Sequence, residues 1–222
     1  GLVSVALAKE NHSALQARLP EAMTLDFDDL IKLREVAKAA DVIVIGPGLG
    51  LERLDLLTEV LNLLTENQKL VIDGSALTLF AREHLDLPFP ENTVFTPHEM
   101  ELERLSGLKI GQQTKEEVQD FVNQLGAIVV AKSSETRIFA PNRESFILKI
   151  GSPAQATGGM GDTLAGMVGG FLAQFHGETE EVVAAATYLH SLIASVLAQK
   201  SYVVLPSRLI EEIPLFMKKY EC

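Results

Sequence analysis

Apolar positions along the chain fall into two alternating rhythms. Short continuous runs such as Val42-Ile43-Val44-Ile45 and Leu70-Val71-Ile72 are the pattern of strands covered on both faces. Between them, apolar residues recur at spacings of three and four, as at Leu30, Leu33, Val36 and Ala37, which predicts helices. The chain reads as strands over 2–8, 41–45, 70–73 and 93–96, and as helices over 28–39, 54–64, 76–84 and 115–124, with another helix opening at His98 and Glu99. The pattern then changes. Three short runs at 127–131, 136–140 and 145–150, separated by turn residues, predict an antiparallel meander, and helices follow over 162–175, 180–200 and 207–219. Alternating strands and helices imply an α/β fold. Its central sheet is mostly parallel and flanked by helices, with a few antiparallel strands at one side. In such sheets ligands gather beyond the carboxyl ends of the strands.

No repeat or linker divides the 222 residues, so a single domain over 1–222 is expected. The chain opens directly in a strand pattern, and an amino-terminal segment is expected upstream. No run of about eighteen apolar residues exists, so no membrane partner is expected. Acidic residues outnumber basic ones 30 to 19, a net charge of -11, which repels a phosphate backbone and argues against nucleic acid. A small nucleotide held by backbone dipoles stays compatible with that field. The single cysteine, Cys222, excludes an intrachain disulfide and a thiolate metal cluster, and suggests a reducing, cytoplasmic setting. No His/Cys/Asp cluster has zinc-site spacing, so no protein-held metal is expected.

The most informative stretch is Ala156-Thr157-Gly158-Gly159-Met160-Gly161-Asp162-Thr163-Leu164-Ala165-Gly166. Glycines crowd a turn that opens onto a helix, so successive N–H groups can converge. Helix first-turn amides lack internal partners, and together these groups make an anion site needing no basic residue. Asp162 beside such a site is repulsive toward phosphate unless it does chemistry. It could accept the proton of an attacking hydroxyl while the amides of Gly158, Gly159, Met160 and Gly161 hold the transferred oxygens. Helix capping is the alternative role for Asp162, but a plain cap does not need three preceding glycines. Neither standard nucleotide fingerprint is met: Met167, not Lys, follows Gly166, and Gly46-Pro47-Gly48-Leu49-Gly50-Leu51 lacks a closing glycine.

Other stretches are ambiguous alone. The loop at 46–50 joins strand to helix at the rim, or is merely a tight turn. His98 in Thr96-Pro97-His98 is a candidate contact or a structural histidine. Asp73 faces the site or caps a helix, and Lys132 neutralises a phosphate or lies on the surface.

Taken in order, Gly46-Pro47-Gly48-Leu49-Gly50, Val71-Ile72-Asp73, Thr96-Pro97-His98, Lys132 through Thr136 and the glycine-Asp block make the chain similar to the ribokinase-like ADP/ATP-dependent NAD(P)H-hydrate dehydratases, which repair hydrated nicotinamide cofactors. The resemblance covers essentially the whole chain. It implies an amino-terminal segment with a Gly-Gly-Ser turn, and a reaction in which ADP or ATP phosphorylates the ring hydroxyl of hydrated NADH or NADPH before phosphate leaves. Asp162 would be the base, and Gly158, Gly159, Met160 and Gly161 the anion hole. Gly48, Gly50 and His98, with Asp162, would contact the hydrated dinucleotide. Lys132, Ser133, Ser134, Glu135, Thr136 and Gly161 would hold the nucleotide, whose phosphates Mg²⁺ would bridge. The sequence does not settle ADP against ATP, and the resemblance tilts toward ADP; a homo-oligomer is expected, with the helix over 182–197 either a contact face or simply core packing. The chain departs from the family pattern at Gly74, Ser75, Ser133, Ser152, Ala154 and Ser191. Two further readings stay open: a ribokinase-like kinase of a vitamin-precursor alcohol, and a non-catalytic nucleotide-binding protein. Thr96-Pro97-His98 and the lack of a separate lid-like strand insertion near the start favour the dehydratase.

Overall fold

The computed structural model describes residues 1–220. Cys222, on which the disulfide argument rests, lies outside the described residues. The main sheet has six strands in chain order: β3 (Val42–Ile45), β4 (Lys69–Ile72), β5 (Thr93–Phe95), β6 (Ile128–Ala131), β7 (Arg137–Phe139) and β8 (Phe146–Ile147). The first four are parallel, and β7 and β8 pair antiparallel at one side. Two earlier strands, β1 (Ser4–Leu7) and β2 (Met23–Asp26), form a small parallel sheet of their own, joined by α1 (His12–Arg18).

Period-two alternation decides which helices cover which face. Leu70, Ile72, Phe95, Val129 and Phe139 point to one side. There they meet α3 (Leu54–Leu63), α4 (Gly74–Arg82), α5 (Glu99–Ser106) and α6 (Lys115–Leu125) through Leu57, Leu77, Leu102 and Val122. Val71, Val94, Ile128, Val130 and Ile138 point to the other side. They pack on Leu164 and Val168 of α7 (Met160–Gln174) and on Val183 and Ala186 of α8 (Thr179–Ala198). Each such side chain stabilises the fold by about 1.5–3 kcal/mol on burial. α7 crosses β3 at Gly169, where a Cβ would lie 2.4 Å from Val44 Cγ2. α8 is long and apolar enough to cross a bilayer, yet half of it is buried in this core. α9 (Pro206–Tyr220) closes a third cluster with α7 and α8, while α2 (Leu30–Ala39) packs Leu33 against Leu25 of β2 and Leu56 of α3.

The parallel strands of the main sheet, the antiparallel flank and the long helices match the periodicity. The small sheet does not. β2 is four residues long with only Leu25 buried, too little apolar signal to stand out. With β1 it stands apart from the central sheet as a separate parallel pair. The third meander strand also shrinks to two exposed residues.

Candidate active site

The carboxyl ends of β3 to β6 meet at one rim, and the residues just beyond them interlock. After β3 the chain turns at Gly46, whose φ of +126° and position 1.7 Å (for a notional Cβ) from the Asp73 carbonyl oxygen admit no side chain. Gly48 and Gly50 follow with φ of +67° and +84°, and the space around Gly48 is open. Thr96-Pro97-His98 follows β5. His98 caps α5 reciprocally: its Nδ1 accepts the Glu101 N–H at 3.3 Å, and the Glu101 carboxylate accepts the His98 N–H at 2.9 Å. Lys132 follows β6, its N–H donating to Pro97 O at 2.8 Å in a parallel bridge with His98. The Lys132 ammonium donates to Asp73 Oδ1 at 2.9 Å and lies 4.0 Å from Glu101 Oε2.

The glycine turn faces this cluster. Gly159, at φ +84°, is the N-cap of α7 and offers no capping side chain. The Met160 N–H donates to Thr157 O at 3.3 Å, whereas those of Gly158, Gly159, Gly161 and Asp162 find no acceptor among the described residues. Asp162 is therefore the third helical residue, not the cap. It is exposed and makes no hydrogen bond or ion pair with any described residue. The unpaired amides and the helix dipole leave a concentrated positive potential beside that carboxylate. The turn is braced from behind, as Thr157 Oγ1 donates to Val204 O at 3.1 Å and the Val204 N–H to Ala154 O at 2.9 Å. Lys132 reaches the same place: a Cβ on Gly161 would sit 3.3 Å from its Nζ.

Beneath the turn, His190 of α8 is 5% exposed and its Nε2 is buried without a partner. Burial drives its pKa down from 6.5 to about 4, the Lys132 charge pushes the same way, and the Met160 backbone opposes. His190 is therefore neutral.

A family model described as NAD(P)H-hydrate dehydratase matches residues 1–215. The chain belongs to that family. It is 99% identical over 222 residues to the ADP-dependent (S)-NAD(P)H-hydrate dehydratase of Lactococcus lactis subsp. lactis (strain IL1403), covering 100% of this chain and 81% of that protein. Among solved structures it is similar to a ribokinase-like superfamily protein from Enterococcus faecalis V583, at TM-score 0.96 and 48% identity over 99% of this chain and 77% of the other. It is also similar to the Bacillus subtilis ADP/ATP-dependent NAD(P)H-hydrate dehydratase co-crystallised with ATP/Mg2+ and soaked with CoA, at TM-score 0.83 and 26% identity over 100% and 82%.

Within this NAD(P)H-hydrate dehydratase fold, the predicted residues divide by place. Asp162, the glycine turn and Lys132 converge, and His98 joins them through Glu101. Ser133, Ser134, Glu135 and Thr136 form an exposed turn after β6, in which Thr136 Oγ1 donates to Ser133 O at 3.2 Å and the Glu135 N–H to Ser133 Oγ at 3.1 Å. This turn rims a cavity of about 290 Å³ floored by Leu102, Val118 and Phe139, on the sheet face opposite α7. Sequence reasoning missed Glu101 and the binding of Asp73 to Lys132; His190 entered only as the histidine that precedes Ser191, with no role given to it. Only Glu101 left a signal, its three-residue spacing after His98 being that of a capping box.

Proposed function

We propose that this chain dehydrates hydrated NADH and NADPH at the expense of ADP or ATP. One observation carries the reading: an exposed carboxylate without a partner among the described residues, Asp162, stands in the first turn of a helix where the amides of Gly158, Gly159 and Gly161 are likewise unpaired among those residues. An anion hole beside a free base is what transfer of a phosphoryl group to a hydroxyl needs.

In the reaction Asp162 accepts the proton of the ring hydroxyl, on the carbon next to the ring nitrogen, as its oxygen attacks the terminal phosphorus of the nucleotide. The amides of Gly158, Gly159 and Gly161 hold the phosphoryl oxygens; that of Met160, turned to Thr157, contributes least. Cleavage of the terminal phosphoanhydride bond releases AMP from ADP, or ADP from ATP. The ring nitrogen lone pair then expels phosphate, and loss of a ring proton restores the reduced nicotinamide. Lys132 and the 133–136 turn hold the nucleotide, while Gly48, Gly50 and His98 border the dinucleotide. The described residues contain no group of three or more His, Cys, Asp or Glu able to hold a metal. Mg²⁺ would enter with the nucleotide, since this ion is bound largely through substrate phosphates and water. The name of the 99% identical relative favours ADP over ATP. Self-association through the outer face of α8, where Tyr188 and Val196 are exposed, belongs to the same reading and is measured by light scattering.

Incubation with hydrated NADH and ADP tests the reaction. Recovery of the NADH absorbance band is the expected result. Tight ADP binding without recovery supports the non-catalytic alternative, and phosphorylation of another alcohol supports a kinase.

A further inference from the structure

Asp73 ends β4 at the N-cap position of α4, where an aspartate ordinarily accepts helix N–H groups. Its carboxylate makes no capping bond. Instead it turns into the sheet end, leaving the residue 2% exposed. There Oδ1 accepts Thr96 Oγ1–H at 2.7 Å and the Lys132 ammonium at 2.9 Å. Forgoing the cap and burying a charge both work against stability. The visible result of both is a lysine held still.

Lys132 is fixed at its two ends. Its backbone is tied to Pro97, and its ammonium lies between Asp73 and Glu101, against the position a Cβ on Gly161 would take. Left free, a lysine side chain samples many rotamers and loses that freedom on meeting a ligand. We propose that Asp73, oriented by Thr96, is a positioning residue that holds the Lys132 ammonium at the mouth of the glycine turn. An arriving phosphoryl group then meets a charge already in place. Asp73 acts through Lys132 and does not itself touch the nucleotide. The inference rests on the assignment of Lys132 to the nucleotide made above.

The test is a double-mutant cycle on ADP affinity, measured by calorimetry on the whole chain, so it does not depend on turnover. In the parent, Lys132→Met weakens ADP binding by about tenfold, as expected for a lost charge-assisted hydrogen bond. In the Asp73→Ala background the same change costs less than about threefold, because the untethered lysine contributes little. An equal or larger penalty in that background overturns the proposal, since a purely structural Asp73 leaves the lysine's contribution unchanged. Should Asp73→Ala not fold, the isosteric Asp73→Asn is read in the same way, and a penalty still near tenfold overturns it. If Lys132→Met has no effect in the parent, or ADP does not bind at all, the nucleotide assignment itself fails. That pattern is distinct from a failure of Asp73 alone.

Discussion

The Lys132 ammonium occupies the space beside Gly161, 3.3 Å from where a Cβ on that glycine would project. The second residue of α7 is thus kept bare by a lysine that arrives from the end of β6, as well as by any ligand. Gly161→Ala separates stability from binding. Alanine favours a helical position over glycine by about 1 kcal/mol, which offsets the few tenths of an ångström by which the tethered lysine end must give. Thermal melting is expected to be unchanged or slightly raised, while the displaced ammonium weakens ADP binding several-fold in calorimetry.

Asp162→Asn probes the base. The side chain has no hydrogen bond or ion pair with any described residue to lose, so the melting temperature is expected to shift little. Only the favourable charge at the helix start, worth about 0.3–1 kcal/mol, goes with it. ADP affinity is expected to hold, while turnover of hydrated NADH falls by about 10²–10⁴-fold. Parent-like turnover in this variant sinks the assignment.

His190 gives the fold an acid-side weakness. Its native pKa of about 4 lies below the unfolded value of 6.5, so the unfolded chain binds the proton more readily. The contribution is complete above pH 6.5 and is lost as pH falls toward 4, by roughly 3 kcal/mol over that window. Urea denaturation at pH 7 and pH 4.5 is expected to show a smaller loss for His190→Gln than for the parent. Equal losses contradict a neutral buried imidazole.

Gly46→Ala is expected to be severe. A Cβ there would overlap the Asp73 carbonyl oxygen at 1.7 Å, at a φ of +126°. Backbone in that region favours glycine, and relief requires moving the end of β4. A loss above roughly 3 kcal/mol in chemical denaturation is the expected outcome.

The parallel strands and long helices were readable because Val42-Ile43-Val44-Ile45 and Leu70-Val71-Ile72 are buried on two faces, which imposes continuous apolar runs. The small first sheet escaped notice, since one buried leucine in β2 imposes no pattern. At the site, the glycine turn announced itself because positive φ and bare amides demand particular residues. What Asp73 does was not legible. Capping and holding a distant lysine call for the same carboxylate at the same strand end, and only the placement of Lys132, 59 residues later, separates them. The burial of His190 was not legible either, because an imidazole enclosed in an apolar helix with its Nε2 unpaired looks in sequence like an ordinary core position.

Residues far downstream hold the back of the glycine turn. Val204, in the link between the last two helices, receives the Thr157 hydroxyl and reaches Ala154 with its own amide. The cradle we propose for a phosphate is therefore complete only with the carboxyl-terminal helical pair docked. Its brace lies downstream in sequence of every strand in the sheet.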